Sequence, residues 1–188
     1  MRYIKDDEFI RGNCPMTKEE IRILSIAKLG IEPDYRVLDV GAGTGSVSVQ
    51  MAKICSKGQV VAIEKNEEAL SVIQKNIEKF NVNNLTVVEG EAFEVEASIE
   101  PYFDAVFIGG SGGNIEEIIK KYGAKLKEHG KMVLNFITLN NLYKALDTLK
   151  SMNCEVECIQ VSINKTRANS YMMTSNNSIF IVSAEKLN

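Results

Sequence analysis

The residues whose types and spacing carry the most chemistry lie in one stretch, Val37-Leu38-Asp39-Val40-Gly41-Ala42-Gly43-Thr44-Gly45-Ser46. A short apolar run leads into three alternating glycines and then into a segment of helical character. Glycine turns tightly and lets a ligand approach the backbone, because no Cβ intervenes. The helix behind it would offer free amides and the positive end of its dipole. Such a loop suits a small molecule that carries a nucleoside. A glycine triplet alone also fits an ordinary strand-to-helix turn. Glu64 adds support, since it ends the next apolar run, QVVAIE, twenty-three positions after Gly41. A carboxylate there can accept both hydroxyls of a ribose. Taken alone, Glu64 reads equally well as a solvated acid.

The dinucleotide fingerprint G-x-G-x-x-G wants glycine at position 46, and this chain has Ser46. Asp39 stands two residues before Gly41, which makes the pattern D-x-G-x-G. This pattern resembles motif I of the class I S-adenosylmethionine-dependent methyltransferases, whose cofactor has no pyrophosphate. The resemblance implies that Gly41, Ala42, Gly43, Thr44 and Gly45 cradle S-adenosyl-L-methionine and that Glu64 takes its ribose. It implies that Glu91 and Ala92, in Glu89-Gly90-Glu91-Ala92, meet the adenine, and that strand Phe103–Ile108 runs beneath the methyl group.

The elements that would position these residues alternate along the chain. Strands are predicted at Arg36–Val40, Gln59–Glu64, Leu85–Val88, Phe103–Ile108 and Lys131–Ile137. Helices are predicted at Ser46–Ile54, Glu67–Phe80, Asn114–Leu126 and Asn141–Met152, the second from apolar Leu70, Ile73, Ile77 and Phe80 at helical spacing. Thr17-Lys18-Glu19-Glu20 reads as a capping box for a first helix, which Gly30 ends. The tail differs: Glu155–Ile163 and Ser178–Ala184 are strands joined by polar residues 164 to 177, so they should pair antiparallel. The expected fold is α/β and Rossmann-like, one domain over residues 1–188. It has a mainly parallel sheet, helices on both faces and an antiparallel C-terminal hairpin. Ligands in such sheets bind beyond the carboxyl ends of the strands.

Bulk properties bound the function. The chain has 188 residues, a formal net charge of −3 and a pI near 5.4, which speaks against a large basic face for nucleic acid. The N-terminal residues lack an apolar signal region and no run approaches the length of a membrane span, so the expected location is the cytoplasm. Cys14, Cys55, Cys154 and Cys158 lack zinc spacing, and small apolar filling is the stronger reading of each.

Exocyclic-amine methyltransferases carry an Asn/Asp-Pro-Pro-aromatic motif after the fourth strand. Here the sequence is Ile108-Gly109-Gly110-Ser111-Gly112-Gly113, which disfavours base-amine methylation and offers backbone that can lie close to a bulky substrate. Pro15-Met16-Thr17-Lys18-Glu19-Glu20-Ile21-Arg22, Gly41 to Val49, Phe107 to Gly113 and Asn135-Phe136-Ile137-Thr138-Leu139 resemble the decarboxylating cobalt-precorrin C15-methyltransferases of cobalamin biosynthesis. The resemblance covers nearly the whole chain. It implies methylation of C15 of a corrinoid tetrapyrrole with loss of carbon dioxide from the ring C acetate. It further implies Thr17 against the cofactor, a homo-oligomer (a tetramer), and no protein-held metal. Gln50 and Asn140 depart from the family pattern, which often has Glu at these places.

A polycarboxylate substrate needs cations, and Arg11, Lys18, Arg22, Lys165 and Arg167 are the candidates, with Arg11 and Arg167 preferred from their loop positions. Gly109 and Gly110 join them as substrate-binding backbone. Each cation also reads as a solvated surface charge. His129, the single histidine, reads as a surface residue at a helix end rather than as a base. Tyr171, Met172 and Met173 fit either a substrate wall or a subunit contact. Three other readings stay open: another small-molecule or RNA methyltransferase, an NAD-linked oxidoreductase, and a non-catalytic subunit on the same fold.

Overall fold

The computed structural model describes residues 2–110, 113–166 and 170–187. The strands in chain order are β1 (Arg36–Val40), β2 (Gln59–Glu64), β3 (Leu85–Glu89), β4 (Phe103–Ile108), β5 (Leu126–Phe136), β6 (Cys154–Val161), β7 (Asn164–Thr166), β8 (Met173–Ser175) and β9 (Ile179–Lys186). Seven of them form one sheet in the order β3-β2-β1-β4-β5-β9-β6. The first five run parallel, and β9 lies antiparallel between β5 and β6. β7 and β8 form a separate antiparallel ribbon within the segment expected to be an unstructured connection.

The apolar runs are continuous rather than alternating because both faces of the sheet are covered. Val37, Leu38, Val40, Val60 and Ala62 are all fully buried. One face packs against α1 (Glu19–Leu29), α2 (Ser46–Ile54) and α3 (Glu67–Lys79), with Ile26, Leu29, Val49 and Met51 in its core. The other packs against α4 (Ala92–Val95), α5 (Ile115–Ala124) and α6 (Leu139–Ser151), with Ile115, Ile118, Tyr122 and Leu149. This is the expected architecture, and strands β1, β2 and β4 fall at the expected bounds. Among the described residues no helix is long and apolar enough to cross a membrane.

Three local expectations are corrected. The capping box does not form: Lys18 is the N-cap of α1 and no side chain caps it, while Glu20 pairs with Lys165 of β7. Burial pushes the Glu20 carboxyl up, but the Lys165 ammonium overrides this and leaves it below its usual value. Helix α5 stops at Ala124 instead of Leu126, because Lys125 turns inward. Its ammonium donates to the Ile99 carbonyl (2.7 Å) and pairs with Glu96 (2.7 Å), and its own carbonyl accepts from Phe103 N (2.8 Å). β5 therefore begins five residues early with an irregularity in its pairing to β4, and His129 sits within that strand at φ +58° rather than at a helix end. Gly30, at φ +58°, ends α1 as expected by donating to the carbonyls of Ile26 and Ala27.

Candidate active site

A cavity of about 670 Å³ opens beyond the carboxyl ends of β1 to β5. That volume lies within the range of roughly 300–1,000 Å³ typical of small-molecule sites. It sits where the strand order reverses, with β2 on one side of β1 and β4 on the other.

The glycine loop forms the cavity floor at this switch point. Gly41 and Ala42 both donate to the Ile63 carbonyl at 3.0 Å, which bends the chain over the end of β2. Gly41 has φ +75°, and a Cβ on it would lie 2.8 Å from the Gly110 carbonyl oxygen, so only glycine fits between the β1 and β4 loops. Gly41, Ala42 and Gly43 line the cavity. Thr44 and Gly45 do not line it. Thr44 is buried beneath the loop, and a Cβ on Gly45 would meet Ile73 of α3 at 2.3 Å, so this third glycine serves helix packing.

Glu64, at the end of β2, is held by backbone. Its carboxylate accepts from Gly43 N (2.7 Å), Lys65 N (2.8 Å) and Asn66 N (2.9 Å). A carboxylate has about four lone-pair directions, so one acceptor position remains. Glu91 also lines the cavity and pairs with Lys65 Nζ at 2.5 Å. The hydrogen bond from this ammonium to Glu91 raises the Lys65 pKa. Ala92, beside it, has its carbonyl fixed by the Tyr122 hydroxyl at 2.6 Å.

Asp39 is part of the motif but not of the cavity wall. It is 1% exposed, and Ser48 donates to its Oδ2, while Oδ1 is buried without a partner among the described residues. Burial pushes its pKa up to about 7, against the opposing pull of the Ser48 hydrogen bond. The acid of the D-x-G-x-G pattern is thus an internal brace between β1 and α2.

The remaining wall comes from a segment whose role is silent in the sequence. Asn13, Cys14, Pro15 and Met16 lie along the cavity ahead of Thr17 and Lys18. Pro15 O would stand 2.9 Å from a Cβ on Gly43, so the segment passes directly over the glycine loop. Two buried side chains, Gln50 and Asn76, and the exposed Glu68 pin it. Gln50 Oε1 accepts from Ile4 N (2.8 Å), Asn76 Oδ1 accepts from Ile10 N (2.9 Å), and Glu68 Oε1 accepts from Asn13 N (3.0 Å). The oxygen at position 50 needs no charge for this, and the Gln50 Nε2 is buried without a partner among the described residues.

Arg22 is corrected from substrate cation to structural anchor. It has no exposed surface, and its guanidinium donates to Asp6 Oδ1 (3.1 Å), the Thr17 carbonyl (2.8 Å) and the Ile4 carbonyl (2.5 Å), over the Phe9 ring. The other cations separate. Lys18 lines the cavity, half-buried and with no carboxylate partner among the described residues. Arg11 is exposed outside it, Lys165 is spent on Glu20, and Arg167 lies outside the described residues.

Beyond β4 and β5 the cavity is lined by Gly109, Gly110, Asn135, Phe136, Ile137 and Ile179. Ile137 is 70% exposed and leads into exposed Leu139 and Tyr143. Tyr171, Met172 and Met173 are also exposed, on the β7–β8 ribbon, and are not part of the cavity lining. Asn135 stands in the sequence only as part of a family motif, a single polar residue inside an apolar strand with no role assigned to its side chain. Among the described residues no group of three or more His, Cys, Asp or Glu could hold a metal ion.

A profile of the precorrin methyltransferase domain matches residues 8–186. A protein of Sulfurisphaera tokodaii named "Probable cobalt-precorrin-6B C(15)-methyltransferase (decarboxylating)" is 43% identical over 187 residues, which is 97% of each chain. One of Salmonella typhimurium, named cobalt-precorrin-6B C(15)-methyltransferase (decarboxylating), is 36% identical over 187 residues, 97% of this chain and 96% of its own. The crystal structure of a precorrin-6y C5,15-methyltransferase from Geobacter metallireducens matches with a TM-score of 0.93 at 38% identity, over 98% of this chain and 96% of that one.

Proposed function

The chain belongs to the precorrin methyltransferase family, and from that premise we propose that it methylates C15 of cobalt-precorrin-6B with decarboxylation of the ring C acetate, using S-adenosyl-L-methionine. The observation that carries the reading is a cavity with two unlike ends. Backbone and acids of β1 to β3 line one, and apolar side chains with an amide and a lysine line the other.

The first end fits the cofactor by the chemistry of its groups. Glu64 keeps an acceptor position for a ribose hydroxyl, and Glu91 supplies an acceptor for the adenine amine. Glu64, Glu68 and Glu91 outnumber Lys18 and Lys65 on the wall, which favours a sulfonium cation. Thr17, Gly41, Ala42, Gly43 and Ala92 complete this subsite. The cofactor supplies an electrophilic methyl group. The protein contributes position: the Gly41–Gly110 contact fixes the two loops that flank the transfer site, and the segment from Asn13 to Lys18 screens it from water. Gly109, Gly110 and Lys18 face the substrate, with Lys18 toward one of its carboxylates. Arg11 and Arg167 remain candidates for the outer carboxylates. The same reading has the enzyme work as a homo-oligomer, a tetramer, in the cytoplasm; exposed Tyr171, Met172 and Met173 support a covered surface on the ribbon.

The test is to incubate the protein with S-adenosylmethionine and cobalt-precorrin-6B and to follow the product by mass spectrometry. Gain of one methyl group with loss of carbon dioxide is expected. Intact cofactor binding with no change in the tetrapyrrole would overturn the substrate assignment.

A further inference from the structure

Helix α1 and its N-cap present three residues toward the second end of the cavity. Lys18 and Ile21 line it, and Ser25, one turn further on, is fully buried against Asn135. Ile21 and Ser25 are four apart within α1 and so lie on one helix face. The Ser25 hydroxyl meets both ends of the Asn135 amide, donating to Oδ1 (3.1 Å) and accepting from Nδ2 (3.0 Å). A buried hydroxyl facing both amide atoms fixes the plane of the amide. Nδ2 has a second hydrogen, and Asn135 itself lines the cavity. Its neighbours there are Phe136, Ile137 and Ile179, so this is a fixed, neutral donor set in an apolar wall.

We propose that Asn135 is a catalytic residue that donates a hydrogen bond to the acetate carboxylate that is lost, with Ser25 as its positioning residue. The assignment rests on the substrate reading above and deepens it. In the balanced reaction, C15 gains a methyl group as a cation equivalent, and the C–C bond between the acetate methylene and its carboxylate breaks. The electron pair of that bond stays in the macrocycle and cancels the positive charge brought by the methyl group. Carbon dioxide leaves, the methylene carbon gains one proton to become a methyl group, and C15 loses one. The bond that breaks must stand across the π-system to deliver its electrons. A donor of fixed direction sets that torsion. A neutral amide does so without the strong ion pairing that would hold negative charge on the carboxylate, and the apolar wall favours its dispersal.

The experiment compares Asn135→Ala, Asn135→Asp and Ser25→Ala with wild type in single-turnover release of carbon dioxide and transfer of the methyl group. Binding of S-adenosylhomocysteine is measured alongside by calorimetry. Asp is isosteric and still accepts from Ser25, so a purely structural role makes it the milder change. The proposal requires the reverse: Asn135→Asp sets a carboxylate against the substrate carboxylate and slows decarboxylation more than Asn135→Ala, which itself loses about 10–100-fold. Ser25→Ala loses several-fold in rate, and all three bind S-adenosylhomocysteine as wild type does. An Asp variant as fast as or faster than the Ala variant, or loss of cofactor binding in step with rate, overturns the assignment. A wild-type protein inert toward cobalt-precorrin-6B instead overturns the substrate reading, and this proposal with it.

Discussion

The two ends of the cavity are built from different materials. At the β1–β3 end the shape is set by main chain: Gly41 and Ala42 hang from the Ile63 carbonyl, and Glu64 is held by three backbone amides. At the β4–β5 end it is set by a few side chains, Asn135, Phe136, Ile137, Ile179 and Lys18, on a rim that exposes Ile137, Leu139 and Tyr143. A site of main chain tolerates almost no added atoms but depends little on individual side chains. A site of side chains can be altered in steps. The first suits a small ligand of constant shape, and the second a large one that must be discriminated.

The sharpest way to break this contrast is to add one methyl group to each of two facing glycines. Gly41→Ala places a Cβ 2.8 Å from the Gly110 carbonyl at φ +75°, and its affinity for S-adenosylhomocysteine should fall by about 100-fold or more. Gly110→Ala places its Cβ no closer than 4.0 Å to Gly41, so cofactor affinity should stay within about threefold of wild type while the KM for the tetrapyrrole rises. Equal losses in calorimetry would show that the two ends are not separately built.

Arg22→Ala removes a buried donor from three acceptors and should lower stability by about 3–5 kcal/mol. It should also free the segment over the cofactor end, read as rapid hydrogen exchange of the Ile4 and Ile10 amides. Glu64→Ala follows, with cofactor affinity reduced about 10–100-fold and the fold retained, since a charged acceptor contributes about 1.5–3 kcal/mol.

Asp39 gives a test in pH. Its folded pKa lies near 7, above the unfolded value, so the folded state holds a proton there that the unfolded state has lost. Its contribution is therefore fully present below the unfolded carboxylate pKa and is lost as pH rises through 7. Asp39→Asn should flatten this part of the stability profile in denaturant titrations from pH 4 to 8. The smallest effect belongs to the ribbon: Lys165→Ala breaks an exposed tie between it and α1 and should cost less than about 1 kcal/mol, detected as faster proteolysis within residues 164 to 175.

What was legible in the sequence follows the same division. Continuous apolar runs and alternating glycines are local signals, so β1, β2 and β4 and the Gly41–Gly43 turn that lines the cavity could be read directly. Gly45 shares the motif yet serves Ile73, a contact twenty-eight residues away that no local pattern records. Arg22 carries the same charge as a surface arginine, and only the arrival of Asp6 and the Ile4 carbonyl beside it makes it an anchor. The early start of β5 was hidden because Lys125 looks like a helix-terminal lysine until Glu96 and the Ile99 carbonyl come to meet it. Asn135 was masked by its strand, since its meaning lies in Ser25, on a helix more than a hundred residues earlier.

Asn76 joins two things that a ligand would otherwise meet separately. Its fully buried amide donates to the carbonyls of both Ile10 and Thr44 and accepts from Ile10 N. Ordering of the glycine loop and seating of the N-terminal segment therefore share one hinge pin, and their free energies cannot be independent. By thermodynamic reciprocity, any ligand that tightens the loop would tighten the segment by the same free energy. One buried amide thus ties the glycine loop to the N-terminal segment.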